Sequence, residues 1–378
     1  MKRILAVLLC VCGFYEVANA NNIAQLLLTG RPSGHMGVYY QGMTGGAPSF
    51  ADANVSLAYQ TQRFQGVALG GSMWAATKLY QAHGGDFSQV KDNFVLTELY
   101  ASFVNPNRLS VYAGRFQTNS EWIKHYTQGV SATYEDIENL KLDFIWAYKN
   151  AYVTNYRMDN FTNPFGSVGA LYLGATITLP ESPLQITPYL YAAPNDFTAF
   201  GAKVLVAVPV NTALLYGKMH FLSFSARNDK VIDHSSTQGD GGFVWLEGGA
   251  KWLGMNVGGG VISVAENGAR GIDSFGQSSY FERREGLFYN NATSLYGFLE
   301  YDLRQYVQLD AAIRHTTIGS KNIFNWEAGL VSEPQHNIKL GVKVIGMINN
   351  ADFTLDNSIF ANDGKNYLLT RVFAQVSF

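Results

Sequence analysis

The chain has 378 residues, a formal charge of −2, and charged residues at only 15 % against the roughly 25 % of ordinary soluble domains. Tyr (22), Phe (24) and Gly (38) are abundant, Pro is scarce (10), and the near-neutral balance excludes a general nucleic-acid surface. Both cysteines, Cys10 and Cys12, lie in the first twenty residues, so disulfide frameworks, thiolate metal sites and cysteine nucleophiles are excluded beyond them.

Lys2 and Arg3, the apolar run Ile4 to Val11 and the small residues of Ala18-Asn19-Ala20 read as a secretory signal peptide cleaved after Ala20. Residues 21–378 then read as one domain, with no repeat or linker. No later apolar stretch reaches the ~18 residues of a membrane helix. An exported chain of this kind is either a large secreted β-protein or an outer-membrane β-barrel.

Period-2 alternation runs through the remainder, as membrane strands require. It is clear in Val95, Thr97, Leu99, Ala101, Phe103, then in Leu140, Leu142, Phe144, Trp146, Tyr148. It recurs in Val244, Leu246, Gly248, Ala250, Trp252 and in Ile338, Leu340, Val342, Val344. The predicted strands are 34–41, 52–60, 66–76, 94–104, 108–115, 128–136, 139–149, 168–179, 184–192, 199–208, 211–225, 242–252, 255–264, 294–303, 306–316, 323–332, 337–347 and 367–378. That is an all-β, transmembrane antiparallel barrel of about 18 strands, with 16 as the alternative. Tight breaks such as 104–108, 136–139, 180–183, 209–211 and 333–337 alternate with long polar segments at 76–93, 116–128, 149–166, 226–241, 265–293 and 348–366. Short turns on one rim and long loops on the other are the asymmetry of an outer-membrane barrel, with the short turns in the periplasm.

With the apolar parity facing lipid, the other parity lines a lumen. It carries Lys141, Lys149, Lys203, Lys218, Lys251, Arg314, Lys339, Lys343 and Arg371. The opposing set is Glu98, Asp143, Glu247, Glu300, Asp302, Asp310 and Glu327, with His220 beside Lys218. A barrel this wide holds water, and a loop folded inward is the expected device for narrowing it. The segment Phe116–Gln128 is the candidate, with Glu121, Lys124 and His125 presenting both signs of charge at a constriction and Trp122, Ile123 and Tyr126 pinning it to the wall. Arg115 shares parity with Leu109, Val111 and Ala113, so either Gly114 marks a bulge that re-aims it or it lies above the bilayer.

Tyr112-Ala-Gly-Arg-Phe-Gln-Thr118, Tyr126-Thr-Gln-Gly-Val-Ser-Ala-Thr-Tyr134 and the Leu140-Lys-Leu strand resemble the OprD-type porins, especially their epsilonproteobacterial relatives. The resemblance implies an eighteen-stranded channel for small, often charged solutes such as amino acids, peptides or carboxylates. It also implies a basic row along the lumen, for which Lys218, Lys251, Arg314, Lys339, Lys343 and Arg371 are the matching positions. The nearly equal acidic set departs from that pattern.

Catalysis has little to stand on: the seven His show no metal spacing, and no G-x-S-x-G elbow occurs. No cofactor is expected. A surface adhesin or receptor acting through long loops such as 265–293 is the alternative reading, with an outer-membrane hydrolase behind it. Expected partners are outer-membrane lipid and lipopolysaccharide, the barrel assembly machinery, small solutes and, if the barrel is oligomeric, further copies in a homotrimer. The closing strand ends on Phe378, whose ring reads as an interfacial girdle residue and an assembly signal.

Overall fold

The computed structural model describes residues 28–44, 48–105, 108–226, 239–269, 272, 276, 280–282, 286–303, 306–350 and 366–378. The signal segment lies outside them.

Eighteen strands form one closed antiparallel sheet. In chain order they begin β1 (Arg31–Met43), β2 (Phe50–Gln60), β3 (Val67–Gln81), β4 (Phe94–Val104), β5 (Leu109–Asn119), β6 (Lys124–Tyr134) and β7 (Leu140–Ala151). The two-residue pieces β8 (Val153–Thr154) and β9 (Arg157–Met158) pair apart from the sheet. Then come β10 (Ala170–Thr178), β11 (Leu184–Ala193), β12 (Phe197–Val210), β13 (Ala213–Ala226), β14 (Gly239–Trp252) and β15 (Met255–Val264). The sheet continues through β16 (Ala292–Leu303), β17 (Val307–Ile318), β18 (Lys321–Gln335), β19 (Ile338–Asn349) and β20 (Tyr367–Ser377). Each strand pairs with its sequence neighbour, β10 takes β7 as its partner, and β20 returns to β1 from His35↔Ser377 to Met43↔Leu369. Closure leaves no edge for lipid to strand without hydrogen bonds. Every predicted strand overlaps an observed one.

Turn chemistry sets the short rim. Gln65 and Gly66 have φ of 47° and 85°, and Leu253 and Gly254 have 47° and 81°. Positive φ at both central residues is the type I′ hairpin, whose twist matches the strands it joins. Asn139 and Asn211, also at positive φ, serve the same rim. The far rim is less uniform than the alternating pattern predicts. Connections there at 120–123, 194–196 and 319–320 are short, because the strands run further than their alternation shows.

Parity sorts as expected on the outside. Leu99, Phe200, Leu295, Ile313 and Met219 stand exposed on the wall, one apolar row after another. The inside differs from a uniformly polar lining. Toward the long-loop rim the inward positions are apolar and buried, among them Tyr191, Leu222, Ile345, Met347 and Leu369. Trp122, Phe165, Phe281 and Phe288 from the connections join Tyr191 and Leu222 in one cluster, and Ile345, Met347 and Leu369 form another with Ile323 and Tyr367, so part of the lumen is a hydrophobic core. Charged inward positions concentrate nearer the short-turn half.

Candidate functional site: the lumen and its infolded segments

The constriction begins with a glycine. β5 pairs with β4 from Ser110 to Arg115, whereas its outer half pairs with β6 alone. The departure occurs at Gly114, which has φ of 120° and where a Cβ would lie 2.3 Å from the Leu99 carbonyl oxygen. Only glycine fits that conformation and approach. Across the hairpin, a Cβ at Gly129 would lie 1.8 Å from the Trp146 carbonyl oxygen, beside a register shift between Gln128 and Gly129. The two glycines let the β5–β6 hairpin bend off the wall and into the barrel.

Arg115 covers what the hairpin vacates. It keeps the lipid-side parity of its strand, yet its Nη1 donates to the Leu96 carbonyl at 3.0 Å on the uncovered edge of β4. Its Nε donates to Gln128 Oε1 at 3.3 Å, and the guanidinium lies 4.4 Å from the Phe161 ring centre. Thus a bulge-like turn at Gly114 frees Arg115 to satisfy a strand edge.

The hairpin ends in a four-residue turn, 120–123, not the thirteen-residue loop predicted, since 116–119 and 124–128 are strand. Trp122 and Ile123 are fully buried. The Trp122 ring packs against Tyr191 (6.2 Å between centroids), His220 (5.8 Å), Phe243 (5.9 Å) and Phe288 (6.1 Å). Burying an Ile contributes about 1.5–3 kcal/mol, so this anchor is substantial. Glu121 lands among cations: its Oε2 accepts from Lys203 Nζ at 2.7 Å, and Oε1 lies 3.8 Å from His220 Nδ1. Tyr189 and His220 share a hydrogen bond of 2.5 Å beneath it. Burial pushes the Glu121 carboxyl up, but Lys203, His220 and Lys218 together outweigh burial and hold it below the usual carboxylate range. His125, at positive φ, packs tilted against Tyr152 with ring centres 4.2 Å apart.

Two further segments enter the lumen. Residues 152–163 cross to the 82–93 connection, where Asp92 N donates to Met158 O and Lys91 pairs with Asp159. Between β8 and β9, Tyr156 lies under the Arg371 guanidinium at 3.7 Å and 6.0 Å from the Tyr39 ring. Burial, then the nearby Glu282, raises its phenol pKa. From the 265–291 connection, Tyr280 stacks on Phe298 at 3.8 Å and donates to Glu247 at 3.1 Å. Phe281 faces the Arg314 guanidinium at 5.1 Å. Glu282 pairs with both Arg371 and Lys343, and its backbone N–H donates to Glu327.

Strand register then places the predicted lumen residues. Residues opposite one another in an antiparallel pair face the same side. One inward row reads Lys251, Asn256, Glu300, Asp310, Gly329, Lys343, Arg371, Gln41 across eight strands. One step higher stand Glu327 and Phe298, and above them Lys218, Glu247 and Arg314. Lys218 lies 3.9 Å from Glu247 and 4.5 Å from the Trp245 ring, and Lys343 lies 3.1 Å from Glu327. A lumen cavity of about 690 Å³ opens here, with Lys124, Lys218 and Lys343 on its border along with Glu300, Asp302 and Asp310.

Other predicted residues sit elsewhere. Lys141 pairs with Glu135 and Asp143, and Lys339 with Glu333, all beside the short turns. Lys149 leaves the lumen parity. The register shift at Gln128 puts it opposite Gln128, and through Arg115 in line with lipid-facing Leu99, its ammonium 5.7 Å from the Tyr148 ring. Glu282, Tyr156 and the buried Asp52–Asn54 pair were not singled out from sequence. The first two lie in long polar connections, where alternation carries no signal. Asp52 was legible, being inward on β2 between Phe50 and Asn54. Phe378 closes the seam by exchanging backbone hydrogen bonds with Gly34, both 3.0 Å. Among the described residues no His/Cys/Asp/Glu group could hold a metal ion.

A family described as "Putative outer membrane protein" matches residues 27–208. The fold resembles that of OpdK from Pseudomonas aeruginosa, solved with vanillate (TM-score 0.74, 10 % identity, covering 93 % of this chain and 99 % of that one). It also resembles OccK3 (OpdO) from Pseudomonas aeruginosa (0.72, 13 %, 94 % and 97 %) and OccAB2 from Acinetobacter baumannii (0.72, 12 %, 94 % and 99 %). No curated protein matches the sequence. The family match over residues 27–208 and the closed eighteen-stranded barrel agree on an outer-membrane β-barrel architecture. The chain's architecture is that of the OprD/Occ porins, which is the resemblance drawn from Tyr112–Leu142.

Proposed function

We propose that the chain is a passive outer-membrane channel for small charged solutes, with no chemistry and no cofactor. One observation carries this reading: charges of both signs line a single lumen row around a cavity of about 690 Å³ below the infolded hairpin. Oriented fixed charges at a narrow point sort solutes by charge and by dipole, and the solute's own gradient drives it. The likeness in fold to OpdK, solved with vanillate, fits a channel for small solutes. The solutes we propose are amino acids, peptides and carboxylates. Glu121, with Lys124 and His125 on the same hairpin, narrows the path, and Glu247, Arg314, Lys343 and Arg371 brace the segments that enter it.

Single-channel recording in planar bilayers under a salt gradient tests the proposal. Ohmic steps with a reversal potential close to zero are expected from the near-balanced lumen. Folded barrels without conductance would overturn it, and strong anion selectivity would show that the acidic row lies off the conducting path.

A further inference from the structure

The row that carries Glu300 and Asp310 poses an unusual electrostatic problem. These two carboxylates are direct cross-strand partners on β16 and β17. Like charges so placed repel, and both side chains stand exposed to the lumen. Glu300 accepts a hydrogen bond from Asn256 Nδ2 at 2.6 Å, which is neutral and leaves the charge uncompensated. Next in the row comes Gly329, where a Cβ would lie 2.3 Å from Asp310 Oδ1, so the absence of a side chain makes room for that carboxylate. Beyond it stands Lys343, two strands from Asp310, or about 10 Å at the usual strand spacing. It feels that carboxylate but is already shared by Glu327 at 3.1 Å and Glu282 at 3.5 Å, so it does not neutralise the acidic pair as well. Directly above the acidic pair, Phe298 and Tyr280 form a stacked aromatic wall on the same cavity.

We propose that this cavity is a binding site for short zwitterionic peptides bearing an aromatic side chain, an inference that rests on the channel reading. The peptide ammonium lies between Glu300 and Asp310 and relieves their repulsion. Its aromatic ring packs on Phe298 and Tyr280. Its carboxylate reaches Lys343 across the gap at Gly329 and takes over the place of Glu282, which keeps Arg371 as its partner, a span that suits a dipeptide better than the adjacent charges of one amino acid. Volume is adequate, since about 690 Å³ falls within the usual range for small-ligand pockets of roughly 300–1,000 Å³.

Calorimetric titration of the folded, full-length protein in detergent tests this with alanyl-phenylalanine, its N-acetyl form, its C-terminal amide and alanyl-alanine. The free aromatic dipeptide should bind, and each of the other three should bind about tenfold more weakly. The double variant Glu300→Gln, Asp310→Asn should erase the difference between free and N-acetylated peptide while retaining that between free acid and amide. Phe298→Leu, a second variant with an intact charge row, should lose the preference for the aromatic peptide over alanyl-alanine. Equal binding of all four peptides, no binding, or an unchanged acetyl preference in the double variant would each overturn the proposal. Binding that follows this pattern in a barrel without conductance would keep the site and sink the channel, so the two failures are distinguishable.

Discussion

Glu121 shows how one residue can couple a hairpin to a barrel wall. Its carboxylate is buried and bonded to Lys203, whose own side chain keeps 28 % exposure. Removing one member of a fully buried pair costs about 3–5 kcal/mol, and the exposure of Lys203 places this pair below that range. Glu121→Gln should therefore destabilise the docked tip without unfolding the barrel, read as a faster proteolytic cut near residues 120–123 with unchanged heat-modified gel migration. The pH dependence follows from the lowered carboxyl pKa. A group held below its unfolded value contributes stability that is complete above that value, near 4.3 for Glu. That stability is lost as pH falls through the folded value. Conductance should thus hold constant from neutral to about pH 5 and become noisy or larger in stronger acid. A Glu121→Gln channel should lack that acid step, and an identical acid response in the two proteins would refute the role.

The β5–β6 hairpin is the element on which the narrowing depends, and two glycines let it leave the sheet. Gly114→Val places a branched side chain at φ of 120° against the Leu99 carbonyl. Strain of this kind costs about 1–3 kcal/mol. The expected results are a lower yield of folded barrel and, in the fraction that folds, a larger conductance because the hairpin lies back toward β4. Wild-type conductance from Gly114→Val would mean that the hairpin enters the lumen for some other reason. The hairpin's strands were legible in their alternation, and Arg115 was legible as a misfit to it. The residue count of the turn was not. Polar residues such as Gln117, Asn119 and Lys124 read as loop, whereas in the structure they pair across a ladder that points into the lumen. Lys149 was misplaced for a related reason: a bulge changes parity by one residue and leaves no mark in the pattern.

For the whole molecule, closure and the lipid-facing surface set the terms. Phe378 and Gly34 exchange two backbone hydrogen bonds at the seam between β20 and β1. Deleting Phe378 should reduce the membrane fraction of heat-modifiable barrel more than it reduces stability of barrel refolded in detergent, separating an assembly signal from a simple loss of bonds. On the outer wall, Leu246→Arg should cost about 2–4 kcal/mol if that position lies at the midplane, measured by denaturant unfolding from lipid vesicles. The equivalent change at an inward, water-facing position such as Gln308 should cost much less.

What the amino-acid order carried alone was the barrel: about eighteen strands with sixteen as the alternative, the apolar parity of most of the outer wall and the rim on which turns are uniformly tight. These follow from a period of two and from turn residues, both local properties. Only the tertiary structure decided that much of the inner wall toward the long loops is an apolar core. The alternation of Leu368 with Leu369, or of Val344 with Ile345, has no polar face to announce an interior. It decided as well that Glu121, Tyr156 and Glu282 meet cations contributed by strands far away in sequence. Such contacts depend on where three segments enter a closed cylinder, and no local pattern records that choice.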